Sequence, residues 1–336
     1  MSIKAGVIGL GVGAQHIAGF LKHPKCEVVS LCDYSEDKLI ACKENYPGVK
    51  ITKDADEVLQ DPQIDVVSIA SYDNYHYEQI VMAIRNGKHV FVEKPLCLHR
   101  KEADDIRALL EENADLKLSS NLILRLSPRF KYLKSLIAEG RLGRVYYMEG
   151  DYNYGRLHKI TEGWRGNLEF YSVVYGGGVH MVDLLLWLLD GEDDPVKEVS
   201  SYGNNICSKN STFKYNDIVV SLLKFESGKI AKIACNFGCV FPHFHSLQIF
   251  GTKATFVNGF ENGMLYESRD SVNPPIKISD AYPGTHKGDL IYDFVKSIID
   301  GSRPIVAEDD VFKTMSVCFA IEQSINESKT VEVNFL

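Results

Sequence analysis

Lys94 stands where a charged side chain can meet a ligand. It follows an apolar run, residues 90–92, with Glu93 before it and Pro95 after it. The carboxyl end of a strand in a parallel sheet opens on the crevice in which ligands bind. An ammonium group there would stabilise an alkoxide as hydride leaves a carbon, and with a lowered pKa it would accept the hydroxyl proton. The alternative is a solvated lysine ahead of a helix.

His180 and Asp183 form a second polar pair. They are three residues apart in a segment, residues 178–189, whose pattern predicts a helix, so both side chains lie on one face. That face is otherwise apolar, and the glycines of residues 176–178 allow close approach of the backbone to a ligand. A titratable pair on an apolar face indicates a functional site. A buried, hydrogen-bonded histidine in a capped helix is the alternative.

A glycine-rich loop lies between the first predicted strand, residues 5–8, and the first predicted helix, residues 15–22. Its spacing matches G-x-G-x-x-G/A. In that motif the first glycine permits a tight turn, the second lets the backbone approach a pyrophosphate, and the small last residue lets helix and strand pack closely. The N–H groups that begin the helix would bind the phosphates. The predicted cofactor-binding residues in this loop are Gly9, Gly11, Val12, Gly13 and Ala14.

Asp33 completes the predicted dinucleotide site. It ends the second predicted strand, nineteen residues past Ala14, where an acidic side chain accepts hydrogen bonds from the ribose hydroxyls. The same carboxylate repels a 2′-phosphate, and neither Tyr34 nor Ser35 is an arginine that would receive one. We therefore expect NAD as the cofactor in preference to NADP. The alternative is a Rossmann-like fold that binds no dinucleotide.

The first third of the chain alternates short apolar runs with helical patterns. Strands that are apolar throughout and separated by helices predict a parallel sheet covered on both faces. We predict an α/β domain, a doubly wound parallel sheet of the Rossmann type, over residues 1–120, and expect it to bind NAD.

Beyond residue 120 the pattern changes to strands in succession with short turns, which predicts an antiparallel sheet. Two late helices, residues 288–299 and 310–326, are expected to cover one face of this open sheet. We predict an α+β domain over residues 121–336 that binds the substrate and mediates oligomerisation. The uncovered face is expected to pair subunits into a homodimer or homotetramer.

The most specific pattern runs from Asn74 to Pro95. It contains Asn74 and His76, then G-K-H-V, then E-K-P. This pattern resembles the glucose–fructose oxidoreductase and inositol dehydrogenase family (Gfo/Idh/MocA), whose members carry such an Asn–His segment followed by G-K-H-V and E-K-P. The resemblance extends over essentially the whole chain and includes residues 121–128, with Arg125, and residues 178–184, with His180.

The resemblance implies an NAD(P)-dependent oxidoreductase that acts on CH–OH groups of a carbohydrate-type substrate. It implies that Lys94 and His180 are catalytic, with His180 as the proton-transfer partner and Asp183 as its orienting group. Asn74, His76, Glu93 and Lys94 are then expected at the cofactor, and Arg125, Arg165, Tyr175 and Asp183 are expected at the substrate. Arg165 would bind an anionic group of that substrate.

One position departs from the family pattern. Many sugar dehydrogenases of this family carry an aspartate four residues before the histidine, where this sequence has Gly176. Tyr171 and Tyr175 lie nearby and would supply a phenol in its place. The departure favours a subgroup with an altered substrate or altered chemistry.

Composition excludes several classes of partner. The net charge of −8 argues against a general nucleic-acid binder. No apolar stretch is long enough to span a bilayer, and no signal-peptide pattern is present, so we expect a cytoplasmic protein without a membrane partner. The eight cysteines form no C-x-x-C pair. Cys239, His243 and His245 lack a further ligand with suitable spacing, so we expect no metal.

Three functions remain open. The first is a dehydrogenase or reductase that moves hydride between nicotinamide and a secondary alcohol of a sugar, cyclitol or sugar nucleotide. The second is a glycosidase-type member of the same family that recycles its NAD. The third is a dinucleotide-binding sensor or regulator without turnover, which the presence of Lys94 and His180 argues against.

Overall fold

Helices and strands alternate in the first part of the chain, and strands follow one another in the second. The computed structural model describes residues 2–189 and 194–336. Within these ranges the helices are α1 (Gly13–Leu21), α2 (Glu36–Asn45), α3 (Asp56–Leu59), α4 (His76–Arg85), α5 (Arg100–Glu112), α6 (Pro128–Ala138), α7 (His158–Thr161), α8 (Val179–Leu188), α9 (Asp289–Asp300) and α10 (Glu308–Glu327). The strands are β1 (Ile3–Ile8), β2 (Cys26–Cys32), β3 (Lys50–Thr52), β4 (Val66–Ile69), β5 (His89–Val92), β6 (Leu118–Ser120), β7 (Val145–Asn153), β8 (Val196–Asn204), β9 (Ile218–Phe225), β10 (Ile230–Asn236), β11 (Phe244–Gly251), β12 (Thr255–Asn258), β13 (Gly263–Tyr266), β14 (Ile276–Ile278) and β15 (Val331–Glu332).

The chain divides into two compact units. The first contains residues 1–123 and 285–313 together with Leu336, and the second contains residues 124–284 and 314–335. The boundary between residues 313 and 314 falls within α10. The described residues contain no helix with the length and apolar character needed to cross a membrane. All eight cysteines carry free thiols.

The sheet of the first unit has the order β3-β2-β1-β4-β5-β6, and every strand pair in it is parallel. Its central strands are apolar throughout, and Val7, Val67 and Phe91 are fully buried because helices cover both faces. The strand order reverses between β1 and β4, and this is where an open α/β sheet binds its ligand, beyond the carboxyl ends of the strands. The predicted doubly wound sheet is confirmed.

The sheet of the second unit has the order β14-β13-β12-β11-β7-β10-β9-β8-β15. Its pairs are antiparallel except for β7 and β10, which run parallel. Helix α8 packs on one face, where Gly150 of β7 leaves room for Met181 and Leu185. On the same face the Ser201 N–H of β8 donates to the Ser324 hydroxyl of α10 at 2.9 Å. The predicted mainly antiparallel sheet with helices on one face is confirmed.

Helix α9 lies in the first unit, whereas the sequence analysis had placed residues 288–299 over the second sheet. Its buried side chains include Ile291 and Phe294, and the Phe294 ring lies 5.8 Å from that of Phe91 in β5. An apolar helix face packs on any apolar surface of complementary shape. Helix α1 offers such a surface to α9 because Gly19 has no side chain. A Cβ on Gly19 would collide with the backbone oxygen of Gly288.

We predict that Gly19→Ala destabilises the first unit by about 1–3 kcal/mol, the usual range for overpacking a fitted contact. The new methyl group must push α1 away from the start of α9. Gly48→Ala is the matched control, because a Cβ there meets nothing within 4 Å. Urea unfolding of both variants measures the difference, and equal stability of the two would contradict this account of the contact.

Candidate functional site

The glycine loop of the first unit forms a cradle without side chains. Gly9 has φ +88°, and a Cβ on it would collide with the Ala70 carbonyl. No side chain caps α1, so its first N–H groups are not taken by a capping side chain. The nearest atom to a Cβ on Gly11 would be the Lys38 Nζ, 3.9 Å away. These features fit a dinucleotide pyrophosphate, as the motif predicts.

Asp33 lies beside this loop, as predicted, and it is 4% exposed. Its Oδ2 accepts from the Leu10 N–H at 2.6 Å and from the Lys38 ammonium at 3.3 Å. Its Oδ1 accepts from the Ser35 N–H at 2.8 Å. The carboxylate is therefore held in place at the carboxyl end of β2, which is the position of a ribose-binding acid.

Asn74 and His76 both follow β4, but they differ in exposure to solvent. Asn74 is exposed in a 3₁₀ turn, where it is open to a ligand. His76 is fully buried. Its Nδ1 lies 2.7 Å from the Pro95 carbonyl oxygen, and its Nε2 lies 3.3 Å from the Ser71 carbonyl oxygen. His76 thus ties the loop after β4 to the segment that carries Lys94.

Glu93 is buried in a cluster of polar groups at the end of β5. The Asn121 Nδ2 donates to its Oε1 at 2.6 Å, and the His16 Nε2 lies 3.3 Å from the same oxygen. Burial alone would raise the pKa of Glu93. The hydrogen bond from His16 and the charges of Lys287, His16 and Lys94 outweigh it and hold the pKa far below its usual range.

An ionised Glu93 fixes a hydrogen on one nitrogen of His16. A carboxylate only accepts, so the Nε2 of His16 must carry the hydrogen that it donates. The Nδ1 lies 2.8 Å from the Ser68 hydroxyl oxygen. Asn121 also donates to the Lys287 carbonyl at 3.0 Å. The cluster places a fixed negative charge directly before Lys94, which is half-buried.

His180 lies in the second unit, one residue into α8. A π-helical segment, Val174–Gly178, leads into this helix, which begins one residue after the predicted start at residue 178. His180 is 5% exposed. Its ring stacks on that of Tyr152 with centroids 6.2 Å apart, and it meets the His245 ring edge-on at 6.4 Å.

Arg125 and Asp183 are brought together as a buried ion pair. The Arg125 Nη2 lies 2.6 Å from one oxygen of Asp183, and the Nε lies 3.0 Å and 3.1 Å from the two oxygens. Both residues are at most 3% exposed. Asp183 was expected to orient His180 or bind substrate. In the structure its carboxylate is held by Arg125 and anchors α8 to the 3₁₀ turn Ile123–Leu126.

The position of Gly176 is filled by a phenol. A Cβ on Gly176 would collide with the hydroxyl oxygen of Tyr171. An aspartate there would require Tyr171 to move, so the departure from the family pattern involves both residues. Tyr175 is 4% exposed and packs edge-on against Phe170 and Phe319. Of the two tyrosines expected near this site, Tyr171 is the one that occupies the space.

Arg165 lies in the 3₁₀ turn Trp164–Asn167 and stacks over the Trp164 ring, 4.5 Å from its centroid. The stacking fixes the plane of the guanidinium. The geometry is compatible with the expected anionic ligand, and stays a prediction.

His245 belongs to a cluster that sequence reasoning found only in part. The Tyr282 hydroxyl accepts from the His245 N–H at 2.8 Å and lies 2.7 Å from its Nδ1. Burial raises the pKa of Tyr282 well above its ordinary value, so the phenol keeps its proton. Exposed His243 lies 5.0 Å from His245 between ring centroids.

Among the described residues, no group of three or more histidine, cysteine or acidic side chains is placed to hold a metal ion. Cys239, named with His243 and His245 in the sequence analysis, hydrogen-bonds to the Asn236 carbonyl.

Several site residues escaped the sequence analysis. His16 is visible in sequence as a polar residue on the buried face of α1, three positions after Gly13, and this signal could have been used. Lys287 and Tyr282 have no such signal in the sequence, because they are far along the chain from the groups with which they interact.

Comparisons with known proteins agree with this geometry. The sequence model of an oxidoreductase family with an NAD-binding Rossmann fold, GFO_IDH_MocA, matches residues 3–121. The GFO/IDH/MocA C-terminal domain matches residues 130–257. A 1,5-anhydro-D-fructose reductase from Ensifer adhaerens is 30% identical over 260 residues, which cover 75% of this chain and 74% of the relative.

The chain belongs to the GFO/IDH/MocA family. A myo-inositol 2-dehydrogenase from Thermotoga maritima is 24% identical to it over 98% of both chains. The crystal structure of a scyllo-inositol dehydrogenase from Lactobacillus casei, with bound NAD(H) and scyllo-inositol, superposes with a TM-score of 0.82 at 18% identity over 99% of both chains. The resemblance seen in the sequence is confirmed, and so are the oxidoreductase class and the NAD cofactor.

The segment before α8 also yields a prediction about pH. Glu322 of α10 accepts from the Ser172 hydroxyl, and burial raises the pKa of Glu322 more than this hydrogen bond lowers it. We predict that Glu322→Gln raises the melting temperature at pH 7–8 by about 1–3 °C, since a stability gain of 1 kcal/mol shifts a unit of this size by a few degrees.

The pH at which Glu322 destabilises the fold follows from the upward shift of its pKa. A carboxyl group with a raised pKa in the folded state adds stability below the unfolded pKa, about 4.3. That stability is lost as the pH rises through the folded value. The difference between Glu322→Gln and the wild type should therefore vanish near pH 4 and grow toward pH 8. Glu327→Gln, on the exposed end of the same helix, is the control and should show no gain. A gain that is constant with pH would refute the titration of Glu322.

Proposed function

We propose that this chain transfers hydride between the nicotinamide of NAD(H) and a secondary alcohol of a sugar, cyclitol or sugar nucleotide, with Lys94 and His180 handling the proton. The observation that carries the proposal is the buried, ionised Glu93 directly before Lys94 at the end of β5. The family relationship supports the reaction class, and the named relatives act on polyhydroxylated rings.

Glu93 places a buried carboxylate directly before Lys94, and the charge of Lys94 is one of those that keep this carboxylate ionised. In this assignment Lys94 acts as a hydrogen-bond donor that stabilises the developing alkoxide when a hydroxyl is oxidised.

His180 is the proton acceptor in this assignment. An imidazole is suited to accept the hydroxyl proton near neutral pH and to return it in the reverse reaction. The stack on Tyr152 and the anchoring of α8 through Asp183 and Arg125 hold its ring in place. Burial raises the pKa of Tyr152 well above its ordinary value, so this neighbour stays a neutral phenol beside the imidazole.

Polyhydroxylated substrates suit the groups around His180. His243, His245 and Tyr152 combine aromatic faces with N–H and O–H donors. Such a set packs against a saturated ring while it binds several hydroxyl groups. Arg165 would add recognition of a carboxylate or phosphate, which extends the substrate class to sugar acids and sugar nucleotides.

The first unit holds the cofactor in this proposal. The N–H groups that begin α1 bind the pyrophosphate, and Asp33 accepts hydrogen bonds from the adenosine ribose. Asn74 binds the cofactor beyond the carboxyl end of β4. When bound, NAD(H) supplies the hydride chemistry. The residues Gly9, Gly11, Val12, Gly13 and Ala14 approach it through their backbone.

We expect Lys94→Ala to lower kcat/KM by about 100- to 1,000-fold, the cost of removing one donor to a developing oxyanion. The assay follows the reduced nicotinamide band with NAD and pooled sugars, cyclitols and sugar nucleotides. Lys101→Ala, an exposed lysine of α5, is the matched control and should behave as the wild type. NAD affinity, measured by fluorescence titration, should be unchanged in Lys101→Ala and shows how far Lys94→Ala acts through the cofactor.

His180→Gln separates the two roles. It should lower kcat of alcohol oxidation by about 100-fold, the contribution of one general base. Turnover of a glycoside without net formation of NADH would replace this proposal with the NAD-recycling one. Tight binding of NAD without turnover on any pool would favour a sensor. Full activity of Lys94→Ala would disprove the assignment of that residue.

We further propose that subunits pair through the open face of the second sheet. Tyr202, Val220, Leu222 and Ile230 lie on this face by the strand register, and they are 37–79% exposed. Ionic pairs such as Lys224 with Glu198 alternate with them. A broad face of mixed apolar and paired charged groups is typical of an interface between identical subunits.

Leu222→Glu should shift the protein toward the monomer in light scattering after gel filtration. The carboxylate would be buried against its own copy across a symmetric interface. Ile40→Glu, which changes an equally exposed aliphatic residue on α2, serves as the control. A wild-type protein that is monomeric at micromolar concentration would exclude this interface.

A further inference from the structure

Asp33 has few acceptor positions left for a ribose. A carboxylate offers about four such positions on its two oxygens. Three donors already use it: the Leu10 and Ser35 N–H groups and the Lys38 ammonium. A ribose with free 2′ and 3′ hydroxyl groups brings two more donors. Five donors exceed the available positions, so one of the present three must yield.

Lys38 is the donor that can yield. The Leu10 and Ser35 N–H groups belong to the backbone of the loops after β1 and β2, and they cannot turn away. The Lys38 side chain is 41% exposed, and its contact with Asp33, at 3.3 Å, is the longest of the three. Its aliphatic stem has several rotatable bonds, so its ammonium moves at little cost.

The surroundings of Lys38 show where it can turn. Its Nζ lies 3.9 Å from the point that a Cβ on Gly11 would occupy and 5.4 Å from the centroid of the Tyr34 ring. Gly11 is the residue at which the backbone approaches the pyrophosphate. The ammonium is therefore placed between the glycine loop and Asp33, beside the edge of the adenosine ribose.

We propose that Lys38 governs recognition at the 2′ position of the adenosine ribose, so that this chain binds NADP as well as NAD. With NAD, Lys38 leaves Asp33 to the two hydroxyl groups. With NADP, Lys38 binds the 2′-phosphate and offsets its repulsion by Asp33. The proposal rests on the cofactor-binding role of Asp33 and of the glycine loop.

The charges around Lys38 limit the size of the effect. Glu36 and Asp37 lie in the first turn of α2 with it, although Glu36 is paired with Lys53 at 2.8 Å. Lysine binds a phosphate as a point charge, without the two parallel bonds that arginine makes. We therefore expect the Kd for NADP to lie within about tenfold of that for NAD, a difference near 1.4 kcal/mol.

The test uses calorimetric titration of the full chain with NAD, NADP, ADP and 2′,5′-ADP, so that no turnover is needed. Lys38→Met should lower the affinity for NADP and 2′,5′-ADP at least tenfold and leave the affinity for NAD and ADP within about twofold of the wild type. Lys38→Arg should retain the affinity for the two ligands that carry a 2′-phosphate. Lys101→Met, a change of an exposed lysine on α5, is the matched control and should leave all four affinities as in the wild type.

The outcomes separate this proposal from the one on which it rests. Binding of NAD with NADP more than 100-fold weaker would overturn the role of Lys38 and leave the NAD site intact. Equal losses for NAD and NADP in Lys38→Met would also overturn it, because the residue would then act on the shared part of the ligand. Failure of the wild type to bind any of the four ligands would overturn both proposals.

Discussion

The carboxylate of Glu93 has almost no contact with water, and the polar groups of the first unit are arranged around it. A buried charge persists only where hydrogen bonds and opposite charge replace the lost hydration. His16 and Asn121 supply the hydrogen bonds, and Lys94 and Lys287 supply the charge. These groups come from α1, from the end of β5, from the residue after β6 and from the segment before α9. One buried carboxylate thus aligns four segments around Lys94.

In the second unit a buried carboxylate is likewise compensated by an opposite charge, in the ion pair of Asp183 with Arg125. The Asp183 carboxylate contacts the Arg125 guanidinium and the Thr314 hydroxyl. Removal of Arg125 would take away its opposite charge and leave a buried carboxylate. The pair anchors α8 one turn beyond His180. In both units a buried ion pair or charge cluster thus fixes the segment that carries a residue of the proposed site, Lys94 in the first unit and His180 in the second.

Tyr171 and Gly176 show how a family pattern changes without loss of the framework. The hydroxyl of Tyr171 occupies the space of the absent side chain, beside the π-helical segment Val174–Gly178. A phenol is neutral where an aspartate would be charged, so the space at this position is filled without the charge that the family pattern places there.

Local signals in the sequence were enough to place much of this site. The first predicted strand, residues 5–8, lies within β1, and the glycine loop and Asp33 lie where the motif puts them, because turns and apolar runs act over a few residues. The tertiary structure alone decided that α9 packs on α1, that Arg125 takes Asp183 across 58 residues, and that Lys38 lies on Asp33. The sequence shows that an apolar face must be buried or that a buried charge must be paired, but only the tertiary structure determines which residue makes the contact.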